Sequence, residues 1–183
     1  MTVMSDDTPS LPWFLAVEAV PERGGPVTHI ATEAERAAVI AALSLETLTD
    51  LRFAGRIERL AGGRYRLIGR VTAALEQACV VTLDPVGAKL NEPLDVEFRP
   101  ADMVTKVDQI DVELDEASEI EPIERGKLAI GRVVYETFAA GLDPYPRKSG
   151  EAIDEMLAAP KGADTSKVNP FAVLAKFKPK GSE

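Results

Sequence analysis

"LRFAGRIERLAGGRYRLIGRVTAAL", residues 51–75, is the stretch whose reading decides the fold. Leu51, Phe53, Gly55 and Ile57 alternate with Arg52, Ala54, Arg56 and Glu58. Beyond Gly62-Gly63 the alternation resumes, with Tyr65, Leu67, Gly69, Val71, Ala73 and Leu75 on one face and Arg64, Arg66 and Arg70 on the other. A side-chain period of two belongs to strands, and two such runs joined through glycines make a hairpin. A slip of one residue would carry one apolar row to the wrong face, so opposed residues must have numbers with an even sum. Pairing Glu58 with Arg66 leaves Ala61-Gly62-Gly63 as the loop. A shift by two would instead set Arg56 against Arg66 and Arg52 against Arg70, and facing like charges are unfavourable. The first register is the expected one.

Working outward from the hairpin, "TEAERAAVIAALS" predicts a helix over 33–44, with Thr32 and Glu35 at capping-box spacing. Upstream, "PWFLAVEAVP" (12–21) reads as a first strand and "GGPVTHIA" as a loop. Downstream, "ACVVTL" (78–83) reads as a short strand, Asp84-Pro85 as a turn, and "LDVEFRP" (94–100) as a strand with Leu94, Val96 and Phe98 inward. Residues 102–121 form an acidic, poorly periodic excursion, and two extended segments are expected about Arg125-Gly126. Ile130, Val134, Phe138 and Leu142 recur every four residues, which marks a helix that Asp143-Pro144 stops. "NPFAVLAKF" predicts a last short helix, with Asn169 as cap and Pro170 at its first position. The expected architecture is α+β: an antiparallel sheet or meander, partly closed and barrel-like, with helices packed on one side. Residues 1–150 would form the domain and 151–183 a semi-ordered tail.

The chain carries a formal net charge of -9, one cysteine and one histidine. No run of apolar residues is long enough to span a membrane, and the first residues lack the positive charge of a signal peptide, so a cytoplasmic protein is expected. Cysteine catalysis needs a base, and a structural zinc site needs about four Cys or His ligands. Nothing in the sequence brings His29 to Cys79, so the cysteine reads as a small hydrophobe on a strand. The acidic run lacks the spacing of a calcium loop, and no phosphate-binding glycine loop or nucleophile motif occurs. No catalytic residue, cofactor or metal is expected. The positive charge is segregated: Arg52, Arg56, Arg59, Arg64, Arg66 and Arg70 crowd the hairpin with Glu58 as the only acid nearby, and Lys176 and Lys178 lie in a lysine-rich tail. Such a face is a candidate footprint for a polyanion. An intramolecular salt-bridge surface is the rival reading.

Three stretches, "CVVTLDPV" (79–86), "YETFAAGLDPYPRKSG" (135–150) and "NPFAVLAKFK" (169–178), occur in an order that resembles the YceD family of large ribosomal RNA subunit accumulation proteins, in its alphaproteobacterial form. The matching positions include Cys79, Leu83, Asp143, Pro144, Tyr145, Pro146, Asn169, Pro170 and Phe171. Many relatives place a second cysteine three residues after the first, where this chain has Thr82, so a redox or metal role does not carry over. The resemblance implies a non-catalytic factor that supports accumulation of large-subunit ribosomal RNA. Its partner would be that RNA or an assembly intermediate. The alternative is an acidic adaptor or chaperone for a basic ribosomal protein.

Overall fold

The computed structural model describes residues 11–101, 103 and 119–148. All but Lys148 belong to one compact unit, which runs to Arg147; Lys148 is the first residue of the unit that follows. Lys176, Lys178, Asn169, Pro170, Phe171 and the expected helix around them lie outside the described residues, as does most of the acidic run.

The hairpin forms as its alternation requires. Strand β3 (Thr47–Arg59) pairs antiparallel with β4 (Tyr65–Ala78), and Glu58 stands opposite Arg66. Ala61–Gly63 makes the turn, with Gly62 and Gly63 both in the left-handed region at φ 74° and 71°. Leu51, Phe53, Ile57, Leu67 and Val71 all lie at 1% exposure or less. Gly55 faces Gly69 across this pair, and Phe53 covers both. A Cβ on Gly69 would lie 2.7 Å from the Phe53 ring and 2.6 Å from the Ala54 carbonyl oxygen. The glycines are there because the aromatic ring occupies the space their side chains would need.

Three further strands extend the sheet to the order β2-β3-β4-β5-β6. Strands β2 (Gly25–Ile30) and β5 (Pro85–Pro100) complete an antiparallel meander, and β6 (Glu119–Ile123) joins β5 in parallel. The sheet is open: β2 and β6 are its edges, and no pairing among the described residues closes it into the expected partial barrel. A separate two-stranded sheet joins β1 (Leu15–Ala16) to β7 (Lys127–Leu128), with Leu15 opposite Leu128.

Three local expectations are corrected. The first strand shrinks to Leu15–Ala16, and "GPVTHI" is β2 rather than a loop, with Val27 buried and Thr28 and Ile30 outward. The short strand at 78–83 is absent: β4 ends at Ala78, and Cys79–Asp84 turns the chain into β5, which begins nine residues before Leu94. Helix α1 (Glu33–Leu43) carries the expected capping box, with the Thr32 hydroxyl accepting from Glu35 N–H and the Glu35 carboxylate accepting from Thr32 N–H. Helix α2 (Ile130–Ala140) buries Ile130, Val134 and Phe138 as the four-residue spacing predicts. Both helices contribute to the one apolar core on the inner face of the sheet. The outer face carries mostly polar side chains, with Ile30 and Ile68 among them, and it is there that the arginines stand.

Candidate functional site

Strands β3, β4 and β5 alternate their side chains, so Arg52, Arg56, Arg64, Arg66 and Arg70 project from one face with Lys89 and Arg99 beside them. The same alternation brings carboxylates to that face. Arg66 holds Asp95 through two hydrogen bonds, Nε to Oδ1 at 2.8 Å and Nη2 to Oδ2 at 2.7 Å. Arg64 and Arg99 both donate to Glu97, at 3.1 and 2.7 Å. Arg52 holds Asp50 at 2.8 Å, and Arg56 reaches Glu58 at 3.5 Å and donates to the Arg23 carbonyl. Arg70 meets the Asn91 amide oxygen at 3.4 Å. Glu58 is therefore not the only acid beside the arginines: β5 supplies Asp95 and Glu97, and the start of β3 supplies Asp50.

The electrostatics follow from these contacts. The hydrogen bond from Arg66 holds the Asp95 carboxyl below the usual range. Partial burial pushes Glu97 up, but Arg99 and Arg64 outweigh it and the carboxyl ends below its ordinary value. The outer face is thus a lattice of alternating sign. Pairs whose arginine stands open to water are each worth little, and a phosphate can compete for either guanidinium. Arg70 and Lys89 form no ion pair among the described residues, so cations outnumber carboxylates on this face of β4 and β5.

A second assembly lies where β4 turns into β5. The Cys79 N–H donates to the Asp84 carbonyl at 2.8 Å and its carbonyl accepts from Leu83 N–H at 2.9 Å, so the cysteine closes the turn from both sides. It is fully buried. Leu83 sits in the left-handed region at φ 62°, a conformation that costs a non-glycine residue roughly 1 kcal/mol or more. The loop after α2 meets this turn. Val80 N–H donates to the Pro146 carbonyl at 2.9 Å, and the Gln77 side chain donates to the Asp143 carbonyl at 3.0 Å. Asp143 in turn accepts from Tyr145 N–H at 2.9 Å, which shapes the loop at Pro144. The stretches around Cys79 and Asp143, distant in sequence, are one surface. In the turn Leu83 is 76% exposed and Val80 and Val81 about half exposed, and in the loop after α2 Tyr145 is 70% exposed.

A third cluster was not legible in the sequence. Glu119 and Glu121 on β6 meet Glu136 on α2, their carboxylate oxygens within 4.8 Å of one another. Arg132 supplies countercharge, 3.6 Å from Glu121 and 3.0 Å from Glu136. Burial pushes the Glu121 carboxyl above its ordinary value, more than Arg132 pulls it down. Among the described residues these three are the group that could ligate a cation, though Arg132 already pairs with two of them. His29 stacks on Trp13 with ring centroids 5.0 Å apart, and burial lowers its pKa.

Among the described residues no helix is long and apolar enough to cross a membrane. No curated protein and no solved structure matches the chain. A family model described as large ribosomal RNA subunit accumulation protein YceD matches residues 67–178, from early in β4 through the Cys79 turn, β5, β6 and α2 and on past Phe171. That match spans more than half of the sequence and takes in both segments that meet at the turn, and by it the chain belongs to the YceD family.

Proposed function

We propose that this protein is a non-catalytic cytoplasmic factor in biogenesis of the large ribosomal subunit, and that it contacts large-subunit ribosomal RNA or an assembly intermediate through the outer face of β3, β4 and β5. Membership of a family described by large-subunit ribosomal RNA accumulation carries the reading. The pairing on the outer face gives it a mechanism. Arg66 and Arg64 are held in place by Asp95 and Glu97, and a phosphate exchanges for a carboxylate at little cost, while Arg70 and Lys89 accept phosphate directly. Lys176 and Lys178 would add positive charge from the tail. Binding of this kind tolerates sequence and weakens steeply with salt.

The test is a salt titration of binding to protein-free large-subunit ribosomal RNA, with the level of that RNA measured in depleted cells. Changing Arg70 and Lys89 together to glutamate should weaken binding and flatten the log–log salt dependence, by about one unit of slope for each phosphate the variant no longer neutralises. Asp95→Asn should strengthen binding, because it frees Arg66. If Asp95→Asn weakens binding or leaves it unchanged, the outer face is not the RNA surface. A second reading, an acidic adaptor for a basic ribosomal protein, draws on the Glu119, Glu121 and Glu136 cluster. Loss of such a protein on changing Glu119 and Glu136 to glutamine, with RNA binding intact, would favour it.

A further inference from the structure

Apolar side chains interrupt the charge of the outer face. Residues opposed across β3, β4 and β5 stand there in rows, and two neighbouring rows read Ala54, Arg70, Pro93 and Arg56, Ile68, Asp95. Alanine and proline are short beside arginine, so the face sinks at that point into a depression of about 610 Å³. Clefts that hold small ligands occupy roughly 300–1,000 Å³. Ala54, Ile68 and Pro93 form the apolar part of the depression, and Arg70, Thr72 and Asp95 bring polar groups to it. Ile68 is 39% exposed, an isoleucine open to water among arginines. The charged groups differ in what they have already given. Both Asp95 oxygens accept from Arg66, at 2.8 and 2.7 Å, which leaves that pair close to neutral. Arg70 meets the Asn91 amide oxygen at 3.4 Å and no carboxylate among the described residues. An open apolar floor therefore lies beside a guanidinium that keeps its charge.

An unpaired nucleotide carries the matching groups on one unit, a flat apolar base and a phosphate. In a duplex the base faces are stacked away, so phosphates alone would reach the guanidinium and the apolar floor would gain nothing. Single-stranded loops and ends are where side chains reach the faces of RNA bases. We propose that this depression seats one unpaired nucleotide of RNA, with its base against Ala54, Ile68 and Pro93 and its phosphate on Arg70. The inference rests on the reading above and deepens it: within the large-subunit RNA it selects unpaired segments over helices. The seat tolerates any base, because every base has a flat face and the floor meets it with aliphatic groups. Arg56, opposite Ile68, and Arg66, two residues before it, stand on the same face for the flanking phosphates.

The full chain is titrated, over a range of salt, with a single-stranded RNA that cannot pair with itself and with a blunt RNA duplex of equal phosphate number. The wild type should bind the single strand more tightly. Ala54→Leu fills the floor and alters no charge. It should weaken single-strand binding about fivefold or more, the low end of what stacking one base contributes. Its salt slope and its duplex binding should stay as in the wild type. Arg70→Gln should instead flatten the single-strand salt slope by about 0.7, the loss of one phosphate contact. Ile68→Thr, which suits a strand, replaces Ala54→Leu if that variant lowers the urea midpoint. Equal wild-type affinity for the two RNAs, floor variants that bind as the wild type does, or a loss as large on the duplex each overturns the proposal. So does a floor variant that releases an acidic, aromatic peptide while leaving RNA bound. The wider reading fails differently. A wild type that binds neither RNA removes phosphate contact and the seat together, whereas duplex and single strand bound alike through Arg70 and Lys89 remove only the seat.

Discussion

Phe53 and the glycine pair beneath it show how one aromatic side chain settles its neighbours. The ring occupies the inner face above Gly55 and Gly69, so neither position has room for even a methyl group. Gly69→Ala should destabilise the protein by about 1–3 kcal/mol, the range for overpacking a core, read as a lower urea midpoint with an unchanged slope. The alternation that made this strand legible counted Gly55 and Gly69 as inward positions without saying why they are glycine. The reason is a contact across strands, which no local pattern carries. Cys79 is a related case. Its apolar neighbours read as a strand, but the left-handed Leu83 and the Thr82 hydroxyl, which accepts from Asp84 N–H at 3.3 Å, bend the chain there.

At the scale of elements, the parts read correctly are those whose signal is local. Helix α1 is an example, since Thr32 and Glu35 bond reciprocally across one turn. The helix buries only Val39 fully, so capping is a large share of what holds it. Thr32→Ala should cost about 1 kcal/mol, visible as a lower thermal midpoint, while Thr32→Asp should be close to neutral. The parts misread were hidden by proline and glycine. Pro85, Gly87 and Pro93 disguise the first half of β5, because proline lacks the N–H a central strand needs. Strand β6 pairs only with Val96–Pro100. From Pro85 to Pro93, β5 has β4 on one side and no described strand on the other, so its prolines take positions that demand no donor. The β4–β5 pairing also explains the misjudged charge. Alternation in "LDVEFRP" turned Asp95 and Glu97 outward, but only the β4–β5 register sets them beside Arg66 and Arg64.

At the scale of the whole molecule, four described carboxylates fall into two classes that respond oppositely to acid. Asp95 and Glu97 are held low by arginines. Burial raises Glu35, but hydrogen bonds from Thr32 and Trp13 outweigh it and leave this carboxyl low as well. These groups bind protons more weakly folded than unfolded. Their contribution is present above the ordinary carboxylate range and is lost as pH falls through their folded values. Glu121 is raised by burial, so its folded form prefers the proton, and stability is lost as pH rises through its folded value. Glu121→Gln should therefore raise the urea midpoint at neutral pH and do little below the carboxylate range, with Arg132 still paired to Glu136. A gain of equal size at both pH values would mean that packing, and not charge, is responsible.

The pairing of Leu15 with Leu128 ties together two segments separated by nearly all of the described unit. A chain emerging from a ribosome exposes the meander β2 to β5 in order, and each new strand finds its neighbour already made. The apolar residues before it, Leu11 and Trp13 among them, belong to a core that Leu128, Val133 and Phe138 complete. They must wait until α2 has been synthesised. A nascent protein of this kind spends part of its synthesis with the meander paired and its inner face covered only in part, by α1, and nascent-chain chaperones would have their interval to act then.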